Sequence, residues 1–191
     1  MRAAFITVLG AALIALGASG LAWGEHDDDD DRGGRASAQG SRTRGDLASV
    51  TNEGYRTECG GCHFAYQPGL LPAAAWGRIM NTLDQHFGDD ASLDPALKDE
   101  LLAYLDANAA DRSGGKRAGS FAAGKITGDG LPRITQTTYF KRKHHEVPIR
   151  YVKDNAQVKS FSACAACHPG ADKGNFNEHQ VKIPGVGRFE D

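Results

Sequence analysis

Two copies of one five-residue frame constrain the 191-residue chain more than anything else in it. Cys59-Gly60-Gly61-Cys62-His63 and Cys164-Ala165-Ala166-Cys167-His168 together use all four of its cysteines. Two cysteines three positions apart, followed at once by histidine, form the attachment signature of a c-type haem. Each sulfur adds to one vinyl group of the porphyrin. The adjacent imidazole is then held beneath the ring, where it binds the iron. A chain with two such frames is organised around two covalently bound haem c groups. His63 and His168 are the proximal ligands, and Cys59, Cys62, Cys164 and Cys167 are the anchors.

Other uses of these residues fit less well. A thioredoxin-like pair has no need of two copies, each followed by histidine. A zinc site could use the same residue types, but the pairs lie about a hundred positions apart and zinc needs no histidine beside each one. Disulfides are normal in exported chains, yet here every cysteine is committed to a frame.

Export itself is expected from residues 1–24. Met1 and Arg2 make a basic start, Ala3 to Leu16 an apolar run, and Gly17 to Gly24 a stretch of small residues around a cleavage point after Ala22 or Gly24. An uncleaved anchor is the rival, because the apolar run extends to Trp23; no basic stop-transfer cluster follows it. Cleavage to a periplasmic protein without a stable membrane anchor is therefore expected. Residues 25–45 read as a solvated tail: five consecutive aspartates, Asp27 to Asp31, then a segment rich in Gly, Ser and Arg with little to bury.

The mature chain reads as mainly α. Asp46 is placed to cap a helix through Leu47, Val50 and Tyr55 into the first frame. Pro72 opens a second helix, expected to end near Phe87 with Gly88 as its cap, its apolar stripe being Trp76, Ile79, Met80, Leu83 and Phe87. Asp94 caps a third, with Pro95 in its first position and Leu97, Leu101, Tyr104 and Leu105 facing the core. Arg112 to Gly115 reads as a linker. Residues 46–115 thus form an all-α haem domain. Residues 116–191 form a small, irregular one, with a short strand expected at Ile134 to Phe140 and a helical turn leading into Cys164. A haem can serve as the core of so small a unit. Charge divides at the same place. Residues 25–115 hold 8 basic and 17 acidic side chains, a net of −9, and residues 116–191 hold 13 and 7, a net of +6. Such a dipole favours oriented docking to a charged redox partner. It also suits neutralisation of haem propionates, and nothing marks a nucleic-acid partner.

The second axial ligand of each iron sets the chemistry, since methionine raises the potential, a second histidine leaves it low and an open position admits ligands. Of the two methionines, Met1 goes with the signal, so at most one haem can be His/Met. For the first haem the candidates are Met80 and His86. Helical spacing after Ile79 and Leu83 favours His86, with Met80 as packing filler. For the second they are His144, His145 and His179. His179 lies in a polar segment, so one of the pair is favoured. In an extended stretch, consecutive side chains point to opposite faces and only one of the two meets the metal.

Beyond the frames, Tyr66 to Pro72, Trp76, Met80 and His86-Phe87-Gly88 resemble the periplasmic dihaem cytochrome c family. So do Pro132 to Thr135, Tyr139-Phe140, Arg142, His144, Gly174 and Phe176. That family includes the photosynthetic-bacterial partner of a small oxygen-binding cytochrome. The resemblance covers roughly residues 46–190. It implies an N-terminal class I cytochrome c-like domain, a less regular C-terminal haem domain, and two bis-histidine haems with His86 and His144 as distal ligands. His145 departs from the family pattern, which has no histidine there. The resemblance further implies electron transfer from a membrane quinol or cytochrome b donor to a soluble haem protein, with no substrate at iron. A dihaem peroxidase, with one open haem site, is the alternative.

Overall fold

The computed structural model describes residues 47–189. The expected signal peptide, acidic tail and Asp46 cap lie outside them. Among the described residues the α-helices in chain order are α1 Glu53–Gly60, α2 Ala73–Met80, α3 Pro95–Ala107, α4 Lys116–Ala123, α5 Thr138–His144 and the single turn α6 Cys164–Cys167. The only sheet among the described residues is a two-residue antiparallel pair, β1 Lys182–Ile183 with β2 Gly187–Arg188. The protein is mainly helical, and no described helix is long and apolar enough to cross a membrane.

The helix before the first frame starts later than the sequence suggests. Asn52 caps it, its Oδ1 accepting from the Tyr55 amide at 2.7 Å. Leu47 to Val50 stay out of the helix because they are used elsewhere. The Leu47 amide donates to Gly174 O at 3.0 Å, and the Ser49 hydroxyl donates to Lys173 O at 2.9 Å. A tertiary contact outcompetes one more helical turn.

Pro72 does precede α2, but the helix stops at Met80 rather than near Phe87. Asn81 ends it, and Thr82 bonds back through its hydroxyl to Arg78 O at 2.9 Å, a competition with the helical ladder that bends the chain. A 3-10 turn, Leu83–Gln85, follows. Phe87 at φ +55° and Gly88 at φ +111° then form a tight reversal. Phe87 leaves the apolar stripe and is 38 % exposed, with the Arg133 guanidinium 4.1 Å above its ring. Gly88 therefore turns the loop and does not cap α2. The third helix agrees with its sequence signals: Asp94 Oδ1 accepts from the Ala96 amide, Pro95 comes first, and Leu101 and Leu105 are fully buried.

In the second half, Ile134 to Phe140 is no strand. Residues Ile134–Gln136 form a 3-10 turn, and Thr137 caps α5. Its buried hydroxyl donates to Ile134 O at 2.8 Å and accepts from the Phe140 amide at 3.2 Å. The β-branched and aromatic residues suggest a strand, but the cap wins. The turn expected ahead of Cys164 is the frame itself. Helix α4 escapes notice in the sequence because eight residues with only Ala118 and Phe121 buried show no period.

Two apolar clusters result among the described residues. One gathers Val50, Tyr55, Trp76, Ile79, Met80, Leu101 and Leu105 from the first half. The other joins Leu47 and Leu70 to Phe121, Phe140, Ala171 and Phe176. Tyr66 and Ile134 pack against both.

Candidate haem sites

Helix α1 carries Cys59 in its last turn and releases the chain at Gly60, so Cys62 and His63 follow on an exposed loop. The His63 ring pairs Nδ1 with Phe64 O at 2.8 Å. Across from it lies His86, whose ring is 6.1 Å away, centre to centre, and tilted by only 21°. The loop after α2 brings His86 there. Helical spacing singled out His86 on the assumption that α2 extends to it, whereas His86 follows the 3-10 turn and is not on α2. Phe87 meets the His86 ring edge-on at 4.8 Å. Met80 is buried in the first cluster among Trp76, Ile79 and Leu83.

The second site repeats the pattern. Cys164, Cys167 and His168 belong to α6 and its cap. His144 ends α5, and its ring is 6.2 Å from His168 at 72°. The Nδ1 of His144 pairs with Phe140 O at 2.9 Å, and the Phe140 ring stacks on it at 3.8 Å and 10°. Phe161 closes edge-on at 5.9 Å and Phe176 flanks His168 at 5.4 Å. His145 points away: it is exposed, pairs Nδ1 with Arg142 O and lies 3.5 Å from Glu146. The two histidines differ in direction because they end a helix, where neighbours diverge by about 100°. They are not in the extended segment expected from the sequence. His179 is exposed on a 3-10 turn, Glu178–Gln180, and joins neither site.

These arrangements fit the cofactor that the frames demand. Two imidazoles binding one metal ion from opposite sides, each nitrogen about 2 Å from it, stand roughly 6 Å apart between centres. Both pairs have that separation. In each, one ring (His63 or His144) is oriented through Nδ1 by a backbone carbonyl, which leaves Nε2 to bind metal. The partner ring (His86 or His168) has a buried Nδ1 that meets no protein group. Burial first, then the facing His144 and then Arg117, lower His168 to about 4. Burial first and then the facing His63 lower His86; Asp89 opposes them, and Arg133 adds a smaller lowering effect. Neutral rings keep the lone pair that a ligand nitrogen needs. Burial pushes the Cys59 and Cys164 thiols up to about 11, a setting for neutral sulfur and not for thiolate. All four cysteines are free of disulfides. No cluster of three or more His, Cys, Asp or Glu side chains converges on a metal position among the described residues. An apolar cavity runs between His144 and His168, walled by Leu70, Phe121, Ile134, Val152 and Ile183. Arg117 also borders it and donates to Phe176 O at 3.1 Å. Nothing in the sequence singles out Arg117, because its helix is too short to show a face.

The sequence profile of the dihaem cytochrome c family matches residues 55–176. Among solved structures, the chain is similar to a dihaem cytochrome c from Shewanella baltica OS155. The identity is 42%, the match covers 73% of this chain and 98% of the other, and the TM-score is 0.60. It is also similar to the dihaem cytochrome c of Rhodobacter sphaeroides, with 45% identity, 68% and 100% coverage and a TM-score of 0.59. No curated protein matches.

Proposed function

The chain belongs to the dihaem cytochrome c family, and from that premise we propose that it is a periplasmic electron carrier with two bis-histidine irons. It carries two covalently attached haem c groups, held by Cys59 and Cys62 and by Cys164 and Cys167. In this reading His63 and His86 hold the first iron, and His168 and His144 the second. The observation that carries it is the pair of ring separations, 6.1 and 6.2 Å. The haems supply one-electron exchange; the protein supplies the rest. It orients His63 and His144 through backbone carbonyls and keeps His86 and His168 neutral by burial. Phe140 and Phe161 pack on the His144 ring and Phe176 on the His168 ring, which holds both imidazoles in place.

Residues 1–24 serve as the cleaved export signal, and residues 46–115 and 116–191 as the two haem domains. The partners follow from the family resemblance: a membrane quinol or cytochrome b system as donor and a soluble haem protein, such as a small oxygen-binding cytochrome, as acceptor. An open cleft beside His144 is lined by Arg133, Lys141, His145, Lys153 and Lys159. That charge suits an acidic surface on the acceptor, met at the second haem.

The test is carbon monoxide binding to the reduced protein at neutral pH, with optical spectra of both oxidation states. Two six-coordinate low-spin centres should bind none promptly, and the ferric spectrum should lack the red charge-transfer band of methionine ligation. Prompt uptake of one carbon monoxide per protein would indicate an open iron and favour the peroxidase reading.

A further inference from the structure

Two consecutive side chains tie the second haem frame to the first. Tyr66 and Gln67 follow His63 by three and four residues. The Tyr66 hydroxyl donates to Ser162 O at 2.9 Å, two residues ahead of Cys164. Gln67 is fully buried, and its Nε2 donates to Ala171 O at 2.5 Å, three residues beyond His168. The frame is thus bracketed on both sides by neighbours in sequence. Tyr66 also reaches the other way, with its ring 5.2 Å from the His63 ring. Its backbone is fixed as well, since its carbonyl accepts from the buried Tyr55 hydroxyl at 2.8 Å. Tyr66 packs against both apolar clusters.

We propose that Tyr66 is the positioning residue for electron exchange between the two haems, bridging the His63 ring to the Ser162 peptide that leads into Cys164. The proposal rests on the two-haem reading above and adds the route between the centres. Electron tunnelling falls off steeply across empty gaps and less steeply through packed and hydrogen-bonded atoms. The ring fills the space on the His63 side. The hydroxyl makes a bonded link on the Cys164 side. In the exchange one centre loses a single electron and the other gains it. No bond forms or breaks, and the Tyr66 proton stays on its oxygen, held toward the Ser162 carbonyl. Gln67 has the separate task of holding the frame in place, because its amide bonds to Ala171, on the far side of the frame from Ser162.

Three variants of the haem-loaded protein test this. Tyr66→Phe keeps the ring and removes the hydrogen bond; Tyr66→Leu removes both; Gln67→Met removes only the other tie. Each is poised half reduced, and the intramolecular exchange rate is read from haem-methyl NMR line widths beside the optical spectrum. The rate should drop in Tyr66→Phe and drop further in Tyr66→Leu, while both haems keep the low-spin spectra of the unmodified protein. Gln67→Met should lower thermal stability and leave the rate unchanged. An unchanged rate in Tyr66→Phe and Tyr66→Leu overturns the proposal. So does an equal fall in all three variants, which would show that rigid docking of the frames is all that matters. If Tyr66→Leu fails to take up haem, Tyr66→Phe decides alone. Failure of the bis-histidine reading is distinct, because it would show in the spectrum of the unmodified protein.

Discussion

Leu47 and Gly174 meet backbone to backbone: the Leu47 amide donates to the Gly174 carbonyl at 3.0 Å, and a Cβ on Gly174 would collide with the Leu47 carbonyl oxygen. Gly174 is also left-handed, at φ +73°. This contact fastens the first described residues to the loop behind the second haem frame, and only glycine permits it. Gly174→Ala should destabilise the protein by roughly 1–2 kcal/mol from the left-handed backbone alone, and further through the clash. Thermal unfolding of the haem-loaded variant checks this, and a melting temperature equal to that of the unmodified protein would contradict the contact.

His144 and His145 should part company on substitution. His144→Ala removes the ring that faces His168 and should leave the second haem high-spin or water-ligated, its covalent attachment intact. His145→Ala removes an exposed ring and should barely alter the spectrum. Reversed outcomes would place the ligand at His145.

If the two facing histidine pairs ligate iron as proposed, they should give different paramagnetic signatures. The planes of His63 and His86 are 21° apart, whereas those of His144 and His168 are 72° apart. Near-parallel imidazoles split the iron d orbitals that host the unpaired electron, and near-perpendicular ones leave them almost degenerate. Electron paramagnetic resonance of the ferric protein should therefore show one rhombic and one strongly anisotropic low-spin species. Two superimposable signals would mean that the planes do not differ.

Acid should release the second site late. His168 is a base whose value in the folded protein is depressed from 6.5 to about 4, by burial first and then by His144 and Arg117. The neutral, ligand-competent ring is therefore fully favoured above 6.5, and its advantage is lost as pH falls through about 4. Iron binding opposes protonation further. A pH titration of the Soret band should show no transition of this haem centred near 6.5; a midpoint there would mean that the ring is not shielded.

Transfer to an acidic partner should slow with added salt. The halves carry −9 and +6, and screening shortens steering to about 8 Å at physiological ionic strength. Stopped-flow rates that ignore salt would assign the cationic cleft to the haem propionates instead. Lys153→Glu with Lys159→Glu should reduce both the rate at low salt and its salt dependence.

Much of the site was legible because covalent chemistry is local. Cysteine spacing and the adjacent histidine mark the two haem c attachment frames without any fold. Asp94 and Pro95 announce α3 because a cap acts within one turn. His86 was found through a helix that does not extend to it, and His144 through a family likeness and an extended segment that is in fact a helix end. In both cases the residue does face the histidine of a frame, but through a different local geometry from the one expected. The bend at Asn81 and Thr82 and the cap at Thr137 depend on which backbone groups each hydroxyl reaches, and β-branched composition does not reveal that.

By itself the sequence determined the two covalent haems, the mainly helical character and the shortage of methionine that points to histidine ligation, all properties of residues close together in the chain. Only the tertiary structure decided which imidazoles face each other, how their planes are turned and which residues lie between the two sites. Those depend on contacts such as Tyr66 with Ser162, Gln67 with Ala171 and Leu47 with Gly174. The partners in each are separated by a hundred residues or so, and no local pattern of hydrophobicity or spacing records which distant backbone groups will meet.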